Sequence, residues 1–135
     1  MKLFKLVFLL ILINSNSLIA QKKEEQIIKQ VKFEKDKVFM NDQLAFNYSI
    51  DNKNHFILSD INKNEIITGD ITSSGDGKWS SVITFVQEKK QFSNSKIIGR
   101  NDLLFKFLEN NVITNDFKIN PEKLNAFFDK YNELK

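Results

Sequence analysis

The chain predicts an α+β fold, an antiparallel β-meander of about six or seven strands with two C-terminal helices packed on one of its faces. Three observations lead there. Between residues 31 and 98 short apolar runs are broken every few residues by Asn, Asp or Gly. Breaks that short join antiparallel neighbours, because a parallel crossover needs roughly a dozen residues or more. Beyond residue 101 the apolar spacing changes from alternation to the period of a helix.

The strands follow in order. QVKFE (30–34) alternates Val31 and Phe33 with polar neighbours, EKDK turns the chain into KVFM (37–40), and Asn41-Asp42 is a hairpin-like break. In QLAFNYSID (43–51) Leu44, Phe46, Tyr48 and Ile50 are expected on one face, with Ala45, Asn47 and Ser49 on the other. DNKN (51–54) precedes HFILS, INKN (61–64) precedes EIITGDI, and the polar SSGDGK loop (73–78) opens WSSVITFVQ. That last run puts Trp79, Ile83 and Phe85 on one face and Val82 and Val86 on the other, which predicts a strand covered on both sides. EKKQ then leads to a weaker strand around Phe92. The similar runs KVFMNDQLAF and FILSDINKNEII belong to one meander, since two weak copies do not make a repeat architecture.

The first helix is expected at about 102–110, with Asn101 or Asp102 as its cap and Leu104, Phe107 and Leu108 at helical spacing. The second is expected at about 121–133. Asn120 caps it, Pro121 fills the first helical position, and Glu122 complements the positive end of the helix dipole. Ile119 and Leu124 have staple spacing, and Leu124, Phe127, Phe128 and Tyr131 form a single stripe. A helix this short is marginal alone, so the stripe must bury against the sheet.

The N-terminus reads as an address. Lys2 and Lys5 precede the unbroken apolar run LVFLLILI (6–13), and NSNSLIA leads to Ala20, the layout of a secretory signal peptide. The run is shorter than the roughly 20 residues that span a bilayer, so no membrane span is expected after cleavage. The expected domains are a cleaved signal peptide at 1–20, a polar lead-in at 21–30 and a single α+β domain at 31–135. Cleavage after Ala20 exposes Gln21, and Ser17 is the alternative site. With no cysteine anywhere, lipoprotein attachment and disulfides are both excluded, and the fold rests on its core.

The formal charge of +3 owes two lysines to the leader; without them 18 basic residues face 17 acidic ones, close to +1. The charges alternate, as in KKEE and EKDK, whereas a nucleic-acid binder clusters its positive charge, so no nucleic-acid partner is expected. Nor is there a long basic amphipathic segment to lie on a membrane.

Candidate sites are few. In DINKNEIITGDI, Asp60, Asn62 and Asn64 match the first, third and fifth ligands of a calcium loop. The bend glycine is replaced by Glu65 and the final bidentate glutamate by Ile71, which leaves a hairpin turn as the expectation and a weak surface calcium site as its alternative. Gly75-Asp76-Gly77 lacks the spacing of a phosphate loop and opens a strand rather than a helix. His55 is the sole histidine, so zinc sites with several His or Cys ligands are closed off, and no nucleophile-elbow pattern surrounds a serine. The acids lie in turns or alternate with lysines, as on a solvated surface. Asn47-Tyr48-Ser49 is a glycosylation sequon within a predicted strand. Trp79, after a flexible loop, and Arg100, the single arginine, are the residues a binding surface would use.

No catalytic residue, metal or cofactor is therefore assigned. The expectation is a small exported non-catalytic domain, a binding or inhibitory module whose partner is an unidentified protein or component of the bacterial envelope; the richness in Lys, Asn and Ile is that of an AT-rich bacterial genome. A carrier of an apolar ligand, with a cavity lined by Phe85, Phe107 and Phe128, is the second reading, and a hydrolase working with carboxylates alone is the third. Mass spectrometry of the protein recovered from its own host should find a chain starting at Gln21 or Leu18. Retention of Met1 would remove the expectation of export with cleavage.

Overall fold

The computed structural model describes residues 26–134, so the predicted signal peptide and the first half of the polar lead-in lie outside the described residues. The strands are β1 (Val31–Phe33), β2 (Lys37–Met40), β3 (Gln43–Ile50), β4 (His55–Ser59), β5 (Glu65–Ser73), β6 (Trp79–Phe85) and β7 (Lys90–Phe92), followed by helices α1 (Arg100–Glu109) and α2 (Pro121–Tyr131). The seven strands form one sheet in sequential order, every neighbouring pair antiparallel. This is the predicted α+β meander with two C-terminal helices.

Local chemistry closes the hairpins. Asn41 and Asp42 both adopt positive φ between the paired Met40 and Gln43, a two-residue turn whose twist matches that of the strands. The next two turns share one design. At Asp51 and at Asp60 the backbone N–H bonds the carbonyl four residues on, and the residue three on (Asn54, Lys63) is left-handed and donates back. In each, the aspartate Oδ1 accepts the N–H groups two and four residues ahead. Asn and Asp suit such turns because their side chains bond the local backbone. Gly77, at φ 81°, takes the left-handed place in the β5–β6 loop.

Two β-bulges interrupt the ladders. Val38 pairs with Phe46 while Phe39 pairs with Leu44, so Ala45 is the extra residue. Leu58 pairs with Ile67 while Ser59 pairs with Glu65, which leaves Ile66 over. The first bulge corrects the expected alternation of β3. Ala45 and Phe46, neighbours in sequence, are both buried, because an extra residue breaks the strict period of two. Ile50, expected in the apolar row, runs past the cover and is exposed.

Among the described residues only one face of the sheet is covered. Its residues Val38, Phe46, Phe56, Leu58, Ile67, Ile83, Phe85 and Phe92 are buried together with Leu103, Leu104, Phe107, Leu124 and Phe127 of the helices. Val82, on the opposite face of β6, is 38% exposed, and Val86 lies beyond the strand in the next turn. The expectation of two-sided cover for this strand is thereby corrected; among the described residues its outward Val82 and Thr84 pair with Asp70 and Thr68 on an open face.

Helix α1 begins at Arg100, earlier than expected. Gly99 is its N-cap and makes no side-chain cap hydrogen bond, so neither Asn101 nor Asp102 caps it. Asp102 instead sits in the first turn, where its charge favours the dipole. Helix α2 starts as predicted. Asn120 Oδ1 accepts the N–H groups of Glu122 and Lys123 ahead of Pro121. It stops at Tyr131, and the tail turns back along the outer edge of β7: Glu133 N donates to Ser93 O at 2.8 Å, and Ser93 N donates to Asn132 Oδ1 at 3.1 Å. At the other end of the chain the lead-in joins the fold from Gln26 onward. Ile28 enters the core, and Gln26 Nε2 donates to Leu108 O at 3.1 Å.

Gly69 is required by close approach. It lies opposite Phe56 in the β4–β5 ladder, and a Cβ built on it would stand 2.1 Å from the Phe56 ring. Gly69→Ala should lower stability by about 1–3 kcal/mol through overpacking, read from urea denaturation. Combined with Phe56→Leu the two costs should be non-additive, because each change alters the space the other needs.

Candidate binding groove

The end of the sheet that carries the β2–β3, β4–β5 and β6–β7 turns meets the connection between α1 and α2. Between them lies an open groove of about 480 Å³. Ala45, Ile66, Phe117 and Ile119 supply its apolar lining, and Asp60, Glu88, Asp116 and Lys118 its charges. Two of the apolar residues are the bulge residues identified above, and bulges re-aim side chains next to functional sites. Phe117 holds φ 63° at the tip of the Thr114–Lys118 turn, a backbone region costly for a bulky residue. Three departures from regular backbone thus line one concavity.

The charged residues are held by their turns. Asp60 Oδ1 accepts the Asn62 and Asn64 N–H groups, each at 2.9 Å, and Oδ2 accepts Asn64 Nδ2 at 3.0 Å. These bonds, led by the Asn64 side chain, hold the Asp60 carboxyl below its ordinary range. Thr114 does the same for Asp116, whose Oδ2 also lies 3.7 Å from Lys118 Nζ. Glu88 Oε2 is buried and has no hydrogen-bond partner among the described residues.

The residues singled out from sequence are scattered. Asp60, Asn62 and Asn64 form the hairpin turn, and both Asp60 oxygens accept hydrogen bonds within it. Among the described residues no group of three or more His, Cys, Asp and Glu converges. Asp76 likewise closes its own loop, accepting from Ser74 Oγ and from Lys78 N. Trp79 is 52% exposed at the opposite end of the sheet from the groove. Arg100 is turned inward: its guanidinium lies 4.1 Å from the Tyr48 ring centre and 5.0 Å from that of Phe33, and Nη1 donates to Glu34 O at 2.7 Å. It fastens α1 to the first hairpin by cation–π contact. Asn47 is half-buried and donates to Asp60 O at 3.2 Å. The rings of Phe85, Phe107 and Phe128 touch, with Phe85 5.8 Å from Phe107 and 5.1 Å from Phe128 between centres, so no cavity separates them.

His55 Nδ1 lies 2.7 Å from Asp70 Oδ1 across β4 and β5, and no serine hydroxyl bonds the imidazole among the described residues. Asp60 and Asn62 apart, the groove residues escaped the sequence reading because they come from β3, β5, α2 and three separate turns. A faint signal was present, since Ala45-Phe46 and Ile66-Ile67 put two apolar residues side by side within otherwise alternating strands. No helix among the described residues is long and apolar enough to cross a membrane.

The Asp70 hydrogen bond raises the His55 pKa above 6.5. A raised folded-state value means that the pair's stabilisation is complete below the unfolded pKa and is lost as pH climbs through the folded one. An NMR titration should place His55 above 6.5, and Asp70→Asn should return it toward that value. The same variant should narrow the difference in denaturation midpoint between about pH 5.5 and about pH 8.

Comparison with protein-family models, with curated proteins and with solved structures finds no match to this chain.

Proposed function

We propose that this protein is an exported, non-catalytic binding module that acts through its surface in the bacterial envelope or outside the cell, with the groove as its recognition site. The observation that carries the reading is the convergence of two bulges and a left-handed phenylalanine on that one concavity. Backbone irregularities cost stability and persist where the surrounding structure and a function maintain them. The direct contact of Phe85 with Phe107 and Phe128 weighs against an apolar ligand carried between sheet and helices. A carboxylate-only hydrolase needs one acid with a raised pKa, whereas Asp60 and Asp116 are both lowered.

Native mass spectrometry of protein taken from its own host tests the reading. A co-purifying macromolecule is expected. A retained small apolar molecule would replace it with the carrier, and turnover of a substrate by the isolated protein would replace it with an enzyme.

A further inference from the structure

The two edges of the sheet are finished differently. The outer side of β7 is taken by the returning tail, with Glu133 N donating to Ser93 O at 2.8 Å and Asn132 Oδ1 accepting from Ser93 N at 3.1 Å. β1 carries no such strap among the described residues. Gln30 O accepts from Asn41 N, and Glu34 N donates to Lys37 O, each at 2.9 Å. Antiparallel pairing alternates, so residues 30, 32 and 34 turn their N–H and C=O groups to β2, while Val31 and Phe33 turn theirs outward. No described residue bonds those outward N–H and C=O groups.

Beside this free edge the side chains are apolar toward the helices and basic on the opposite face. Val31 and Phe33 pack against the core. Phe105 of α1 meets Phe33 edge to face, 5.4 Å between ring centres, yet stays 54% exposed. An inward side chain of an added strand would cover that ring and gain the burial it lacks. Lys32, between Val31 and Phe33, points to the opposite face. Its ammonium lies 3.7 Å from Glu34 with both side chains exposed, a pair that water screens and that leaves Lys32 able to meet a second carboxylate.

We propose that the β1 edge is a strand-addition site for an extended segment of a partner polypeptide with the pattern apolar–acidic–apolar. The apolar residues lie opposite Val31 and Phe33 on the helix side, one of them against Phe105. The acid lies opposite Lys32. Main-chain bonds give such a contact its affinity, and alternate side chains give it specificity. A second copy of this chain fits poorly. Two β1 strands paired through Val31 and Phe33 would set the two copies' Lys32 side chains directly opposite, and like charges so placed destabilise a ladder. None of these residues lines the groove, so the edge is a separate surface.

The test is an NMR titration and amide hydrogen exchange of the purified protein with two capped peptides, Thr-Val-Glu-Val-Thr and Thr-Val-Lys-Val-Thr. The Val31 and Phe33 amides should exchange freely in the protein alone and slow when the glutamate peptide is added. That peptide should bind about fivefold more tightly than the lysine peptide at low salt. Lys32→Glu should reverse the order, which a lysine of merely structural role would not do. Phe105→Ser should weaken both peptides roughly tenfold with the remaining spectrum unchanged. Val82→Thr, on β6, should change neither. Failure of both peptides to bind, equal binding of the two, an unreversed order in Lys32→Glu, or shifts centred away from β1 would overturn the assignment. So would Val31 and Phe33 amides already protected in the protein alone. Protection that falls on dilution would give the edge to a second copy, and protection independent of concentration would give it to the chain's own residues ahead of Gln26.

Discussion

Phe85, Phe92, Phe127 and Phe107 form a closed ring of contacts between the two layers: 6.5 Å from Phe85 to Phe92, 5.2 Å on to Phe127, 5.1 Å to Phe107 and 5.8 Å back to Phe85. Two of the rings stand on the sheet and two on the helices. Burying each contributes about 1.5–3 kcal/mol, and each well-placed pair adds about 0.5–1.5 kcal/mol. A chain without cysteine has no covalent staple to take their place. Helices of 10 and 11 residues do not persist alone in water, so α1 and α2 exist because these rings hold them to the strands.

One-sided cover by the described residues shapes the rest. The opposite face carries threonine, asparagine and β-branched residues that keep strand propensity without building a second core. The sheet's edges are short, and β7 is further shielded by the returning C-terminal tail, which occupies the Ser93 backbone N–H and carbonyl that a neighbouring chain would otherwise pair. Regularity therefore breaks where the cover ends, around the groove, and the bulges there turn Ala45 and Ile66 into its lining.

The same turn chemistry that resembles a ligand set is what builds the hairpins. Asp51 and Asp60 each collect two N–H groups with one oxygen, which ties the start of each turn to its end. Thr114 repeats the backbone pattern in the helix connection, and there the left-handed place falls to Phe117 instead of Asn or Lys. A bulky residue poorly suited to that backbone lines the groove, whereas the same place in the two hairpin turns is taken by Asn54, which tolerates it, and by Lys63.

By itself the sequence determined the local features. Alternation marked the strands, Asn and Asp marked the turns, and Asn120-Pro121 marked the start of α2, because each depends on residues within a few positions of one another. Tertiary structure decided the remainder. The inward turn of Arg100 onto Tyr48 and Phe33, the placement of Val82 on an open face and the pairing of His55 with Asp70 all depend on partners distant in the chain. The groove is the clearest case, since Ala45, Ile66, Glu88 and Phe117 share no pattern along the chain and meet only because a meander brings alternate turns to the same end of its sheet.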